Sequence, residues 1–172
     1  MSGDLEARVT ALEQRLSAAE DELAIHRLIV RYGLAVDLGD ADAAADVFTE
    51  SGVYDVDIGR MEGRGAVRDM VRGERHQSMV GSCAHQLGPA VVELRGSARA
   101  VASGYSRVYL ATRAGTHIYR VSFNRWELEK QGGEWRVAHR TTRVLGHAEA
   151  QSVFRLAVGP QADWASGPAR TI

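Results

Sequence analysis

The stretch that decides the fold runs from Cys83 to Gly146: CAHQLGPAVVELRGSARAVASGYSRVYLATRAGTHIYRVSFNRWELEKQGGEWRVAHRTTRVLG. Its side chains repeat with a period of two, the spacing of a β-strand, whose successive side chains point to opposite faces. Gly96–Ser97, Ala114–Gly115 and Gln131-Gly132-Gly133 break the pattern as turns. They divide it into four long strands, at about 83–95, 98–112, 116–130 and 134–147. Short turns between long strands predict an antiparallel meander.

The strand faces are mixed. One face of 117–129 carries His117, Tyr119, Val121, Phe123, Arg125 and Glu127, and the other Ile118, Arg120, Ser122, Asn124, Trp126 and Leu128. In the last strand Trp135, Val137, His139, Thr141, Arg143 and Leu145 share a face. A concave sheet, core at one end and a polar-decorated pocket at the other, accounts for such mixing. A subunit interface on the outer face accounts for it too, as do solvated strand ends.

Upstream of the meander the period becomes helical. Leu5, Val9, Leu12, Leu16, Ala19 and Leu23 follow alternating steps of four and three, a heptad seam of under three repeats. Such a helix packs on another subunit or lies along its own domain. The apolar pattern continues through Ile25, Leu28, Ile29, Tyr32, Leu34 and Ala35 and ends near Gly39. Asp40 is placed to cap a short helix from Ala41 to Phe48. Gly52 to Asp57 alternates as a strand, a turn follows around Gly59–Arg60, and Ala66, Val67, Met70 and Val71 mark a third helix. Helices first and strands later give an α+β class, with helices on one face of a curved antiparallel sheet. The tail from about Gln151 carries Gly159, Pro160, Gly167 and Pro168 and reads as an irregular arm. The expected division is 1–22 as a heptad-patterned helix, 23–148 as the domain and 149–172 as the arm.

The 172 residues carry 21 Lys+Arg against 22 Asp+Glu, with 45% hydrophobic and 25% charged residues. This is the composition of a globular domain, not of a disordered chain or a strongly basic nucleic-acid binder. The single cysteine, Cys83, rules out an intramolecular disulfide framework and a multi-cysteine zinc site. No apolar run approaches the roughly 18 residues that span a bilayer, and the polar first residues lack a signal-peptide core. A cytoplasmic location is expected. With no H-E-x-x-H, no phosphate loop and no dinucleotide fingerprint, no metal and no cofactor is expected. The stripe Arg64, Arg68, Arg72 with Arg75 beyond reads as a solvated helix face, and Cys83 as a small buried residue. His26, His76, His117 and His147 show no pairing logic.

Several motifs in order resemble the SnoaL-like branch of the NTF2-like superfamily. They are Arg31-Tyr32-Gly33-Leu34-Ala35-Val36-Asp37 with Asp40 opening the next helix, Gly52-Val53-Tyr54-Asp55-Val56, Glu62-Gly63-Arg64-Gly65-Ala66-Val67, Ala84-His85, and Glu134-Trp135-Arg136-Val137-Ala138-His139-Arg140. The resemblance covers roughly 20–147. It implies a cone-shaped α+β barrel, in which a bent antiparallel sheet wraps three helices around a mostly apolar pocket, with the N-terminal helix as an extension. Members include scytalone dehydratase, hexachlorocyclohexane dehydrochlorinase, ketosteroid isomerase, polyketide cyclases and non-catalytic transport factors, so the fold alone leaves function open.

In the dehydratase and dehydrochlorinase branch, an Asp ending the first helix pairs with a His near the start of the meander. The resemblance places Asp37 and His85 in those roles. A histidine accepts a proton near neutral pH, and a carboxylate on its other nitrogen fixes the tautomer. Tyr32, Tyr54 and Arg140 are the expected substrate-binding residues. His139 and Arg140 are neighbours on a strand and face opposite ways, and the resemblance favours Arg140 in the pocket. The expected activity is a cofactor-free dehydratase-type lyase on a small, apolar, oxygenated ring compound. A ketosteroid-isomerase-like isomerase or polyketide cyclase in the same pocket is the alternative, with Asp37 as base in the isomerase case. A binding or assembly module without catalysis is the third reading. No nucleic acid or membrane partner is expected, and the seam together with the resemblance predicts a homo-oligomer, dimer or trimer.

Overall fold

The computed structural model describes residues 2–158. Helix α1 spans Ser2–Asp37 and α2 Ala41–Asp46, followed by strands β1, Phe48–Val56, and β2, Gly59–Glu62. Helices α3, Arg64–Arg72, and α4, Glu74–Gln77, lead into the meander of β3 (Cys83–Leu94), β4 (Arg99–Thr112), β5 (Gly115–Gln131) and β6 (Glu134–Val144), and α5 covers Ala150–Val158. The six strands form one sheet in the order β2-β1-β6-β5-β4-β3. The four long strands and their turns lie where the period-two pattern puts them. The sheet is curved and unclosed, with the second half of α1, α2 and α3 packed against it, which is the expected α+β cone.

The pairing is antiparallel except between β1 and β6, which run parallel, with Val53 opposite His139 and Tyr54 opposite Arg140. Strands β3 to β5 of the meander lie between these two strands in the chain, ample length for a parallel connection.

Four local expectations are corrected. The short helix stops at Asp46 instead of Phe48, although Asp40 caps it as expected, accepting from the Ala43 N–H at 3.0 Å. Phe48 opens β1 because it pairs with Val137 of β6, a tertiary contact that overrides local helix preference. The turn falls at residues 57–58, and Gly59–Arg60 already belongs to β2. Third, a one-turn helix, α4, stands between the expected third helix and the meander. Finally, the expected irregular arm starts as α5, and residues 159–172 of it lie outside the described residues.

The core joins Ile25, Ile29, Tyr32 and Val36 of α1 to Val67 and Val71 of α3 and to Phe48, Trp126, Leu128, Trp135 and Val137 of the sheet. On the convex side, Phe154 of α5 packs on Tyr105 and Phe123, with ring centroids 4.9 and 4.6 Å away. The mixed strand faces thus have more than one cause. In β6 the register shifts between Val137 and His139, so Trp135 and Val137 lie in the core on the same side as the cavity-lining Arg140 and Thr142, and the single face expected from Trp135 to Leu145 is divided. In β5 the polar Ser122 lines the cavity, and Phe123 meets α5. The basic stripe of α3 is spent inside the chain: Arg68 and Arg72 pair with Asp42, and Arg64 donates to the Phe48 carbonyl. No helix among the described residues is long and apolar enough to cross a membrane.

Candidate active site

Two local features fix Asp37 against the head of β3. Helix α1 ends on Gly39, whose φ of +68° is a left-handed conformation that side chains resist. The Gly39 and Asp40 N–H groups close the last turn on the carbonyls of Val36 and Ala35. Asp37 therefore sits in a fixed final turn. Gly33, one turn earlier, lets β3 come close: a Cβ there would lie 3.1 Å from the His85 carbonyl oxygen and 3.2 Å from Leu87 Cδ1. A Gly33→Val variant should push β3 away, costing about 1–3 kcal/mol in urea unfolding by overpacking. A variant as stable as the parent would show that this approach is not tight.

The two elements meet in a compact hydrogen-bonded group. His85 Nδ1–H donates to Asp37 Oδ1 at 2.6 Å, and the His85 backbone N–H donates to Oδ2 at 2.8 Å. The Cys83 thiol lies 3.8 Å from Oδ1. A carboxylate only accepts, so the ring proton is on Nδ1 and the Nε2 lone pair is exposed. His85 lines the cavity, whereas Asp37 stands behind it. Burial pushes the His85 pKa below its ordinary 6.5, against the pull of Asp37, with Arg140 and His76 adding to the downward push. The ring is thus neutral at pH 7.

Asp37, Cys83 and His85 are also the grouping among the described residues with metal-ligand proximity, their ligand atoms lying within 4.8 Å of one another. Burial and the neighbouring carboxylate push the Cys83 thiol up, so it stays protonated at neutral pH, while metal ligation needs the thiolate. His85 Nδ1 is already engaged by Asp37.

Arg140, only 3% exposed, lines the same cavity as His85. The register explains its setting, since Tyr54 is its partner on β1 and Trp126 its partner on β5. Its guanidinium carbon lies 4.0 Å from the Trp126 ring centre, 4.5 Å from Tyr54 and 4.7 Å from Tyr32, close enough for cation–π attraction on three sides. Its Nε and Nη2 both donate to Asn124 Oδ1, at 3.3 and 2.8 Å. Thr142 donates to the same oxygen, and Asn124 Nδ2 donates to Ser106 Oγ, each at 2.8 Å. Arg140 Nη1 has no hydrogen-bond partner among the described residues. The guanidinium is stacked and hydrogen-bonded by neutral groups and forms no ion pair among the described residues, which leaves its charge available to an anionic or polarised oxygen.

The cavity measures about 330 Å³. Val36, Val56, Ile58, Met61, Met70, Met79 and Val108 supply its apolar wall. That is the small end of the usual ~300–1,000 Å³ range for small-molecule sites. Tyr32 and Tyr54 line it with Arg140 and His85, so four of the five residues singled out from sequence face one space and the fifth, Asp37, backs His85. Burial raises the Tyr32 pKa far above its ordinary 10, despite the nearby Arg140, so its hydroxyl is a proton-bearing donor.

Sequence reading missed several lining residues. His76 is buried on α4, its Nε2 2.7 Å from the Val36 carbonyl oxygen, so the ring nitrogen donates there, and its ring is 6.4 Å from that of His85. Ser106, Tyr119, Arg120, Ser122 and Thr142 also line the cavity. No spacing in the chain signals His76, whereas Ser122 and Asn124 did stand out as polar residues on the strand face that carries Trp126.

The model of a family described as a SnoaL-like domain matches residues 17–141. No curated protein matches the chain. Among solved structures, the chain is similar to an NTF2-like protein with a cystatin-like fold from Novosphingobium aromaticivorans, 35% identical, with 84% of this chain and 95% of that one covered and a TM-score of 0.80. It is also similar to a function-unknown protein from Mycobacterium tuberculosis, at 29% identity, 87% and 84% coverage and a TM-score of 0.69. A candidate scytalone dehydratase from N. aromaticivorans, 15% identical over 74% of this chain and 86% of its own, shares the fold with a TM-score of 0.65.

Proposed function

The chain belongs to the SnoaL-like domain family of the NTF2-like superfamily, and on that premise we propose that it is a cofactor-free dehydratase-type lyase acting on a small, apolar, oxygenated ring compound. The family includes dehydratases, isomerases and polyketide cyclases. The observation that carries the lyase reading is a neutral His85 on the cavity wall, backed by Asp37 at 2.6 Å, in a cavity that Arg140 also lines.

In the proposed reaction, His85 Nε2 takes the proton from a ring carbon next to the one bearing the leaving hydroxyl. The C–H electron pair becomes the new C=C bond, and the C–O bond breaks. The leaving oxygen departs as water, protonated by the imidazolium directly or by Tyr32, which then recovers its proton from the imidazolium, so that His85 returns to neutral. Asp37 holds the tautomer and stabilises the imidazolium once it forms. Arg140, with Tyr54 stacked on it, holds the substrate oxygen on which negative charge develops. Asp37 accepts from both the His85 ring and its backbone, which supports histidine over aspartate as the base. The isomerase alternative instead takes Asp37 as the base and returns the proton to another atom of the same compound.

A panel of ring ketones, diols and polyketide-like phenols, screened by thermal shift and followed by product mass, tests the reading. Loss of one water supports it. A product of unchanged mass moves the protein to the isomerase or cyclase class, and tight binders that never turn over make it a binding module.

The pH profile carries a second test. The base works unprotonated, and burial lowers its pKa from 6.5. Activity should therefore be level at pH 7 and fall in acid with a midpoint below 6.5. A midpoint above 7 would exclude this environment for the base. Stability should move the same way. Burial depresses both His85 and His139, so the unfolded chain binds more protons just below pH 6.5. That stability is present above 6.5 and lost as pH falls through the lowered values.

A further inference from the structure

Every residue from Gly3 to Glu20 of α1 is exposed, and the helix first meets the body at Asp21, whose carboxylate accepts from Lys130 Nζ at 2.6 Å and Trp135 Nε1 at 2.9 Å. An 18-residue helical arm, roughly 27 Å long at 1.5 Å per residue, thus stands clear of the domain. Its heptad seam is bare, with exposures from 45% at Val9 to 62% at Leu5. The seam also faces away from the body. Leu23 of the seam and Ile25 of the core lie about 200° apart around the helix axis at 3.6 residues per turn.

The charges flanking the seam identify what covers it. With Leu5, Leu12 and Ala19 at d and Val9, Leu16 and Leu23 at a, the g positions are Arg8, Arg15 and Glu22. Each g residue of one strand of a parallel coiled coil faces the e residue five positions on in its partner. Those residues are Glu13, Glu20 and Arg27, opposite in sign in all three pairs. An antiparallel partner centred on Arg15 would instead set Arg15 against Arg15 and Glu13 against Glu20, with Arg8 against Glu22 as its one favourable kind of pair. Within one chain Arg8, Glu13, Arg15 and Glu20 form no ion pair among the described residues.

We propose that this arm is a docking surface for a second copy of the same chain, forming a parallel, in-register, two-stranded coiled coil over residues 5–27. Val9 at a between Leu5 and Leu12 at d is the two-stranded pattern in the first heptad. The seam is short for an isolated coiled coil. The domain already holds the second half of α1 helical, however, so the arm extends an existing helix and avoids the nucleation cost.

The full-length protein is the sample, and mass in solution by light scattering and sedimentation the readout. The expected mass is that of a dimer. Leu12→Glu with Leu16→Glu should weaken it at least about 100-fold, since four leucines leave the seam, with helical content and thermal midpoint of the body kept. Arg8→Glu with Arg15→Glu, and Glu13→Arg with Glu20→Arg, should each weaken the dimer, and an equimolar mixture of the two should restore it as a heterodimer. Leu5→Cys should crosslink two chains on oxidation where the parent does not, because only parallel, in-register packing brings the two copies of position 5 together. A monomeric mass, a trimeric mass, a dimer unmoved by the leucine changes, or no crosslink would each overturn the proposal.

Discussion

A His85→Ala variant is expected to lose about 10²–10⁴ in kcat/KM, the usual contribution of a positioned general base, while still binding non-reactive ring ligands. Asp37→Asn should lose a comparable factor. The amide cannot hold the Nδ1–H tautomer as the carboxylate does, and it cannot stabilise the imidazolium that forms on proton transfer. Both variants should remain folded, because neither side chain belongs to the main hydrophobic cluster. The measurement is steady-state kinetics on whichever compound the panel yields, with ligand affinity by calorimetry in parallel. Turnover in His85→Ala within tenfold of the parent would remove His85 as the base. If Asp37→Asn alone were inactive, the aspartate would be the base and the isomerase reading would gain. The double variant should be little worse than either single one, because the two residues act as a unit.

A Trp126→Ala variant should give the largest loss of stability, about 3–5 kcal/mol in urea unfolding, from lost burial and the cavity left behind. The indole is nearly fully buried and packs edge-on to Tyr32, with ring centroids 5.7 Å apart. It also forms the nearest wall of the Arg140 box, at 4.0 Å, a contact worth roughly a further 0.5–2 kcal/mol when desolvated. Trp126 therefore lies on the border between core and site. Its removal should loosen Arg140 and weaken ligand binding together with stability. Trp126→Phe should recover most of the stability because an aromatic face remains. A loss below about 1 kcal/mol in Trp126→Ala would mean that the surroundings collapse onto the gap.

The long strands, their turns and the first helix were legible because each rests on a period carried by the residues themselves. Phe48 shows the limit. It follows a helix-forming run and was read as its end, yet it opens a strand because Val137, far along the chain, pairs with it. Asp37 and His85 could be singled out from their places at the end of a helix and the head of a meander. Their separation of 2.6 Å depends on Gly33 letting β3 approach α1. The preference for Arg140 over His139 came from the resemblance, and the structure places Arg140 on the cavity wall. Its neutral hydrogen-bond partner Asn124 and the buried His76 were not picked out as part of the site, because each acquires its place from a different element.

The sequence by itself determined the α+β class, the composition without a disulfide framework, and the heptad seam of the first helix. These follow from local periodicity and residue chemistry. Only the tertiary structure decided which sheet face is hollow, that a cavity of about 330 Å³ remains in it, and that Arg140 lines it. The physical reason is that strand alternation gives two faces without saying which one is concave. Curvature and cavity arise from the summed register of six strands and the helices laid against them, interactions between residues up to ninety positions apart.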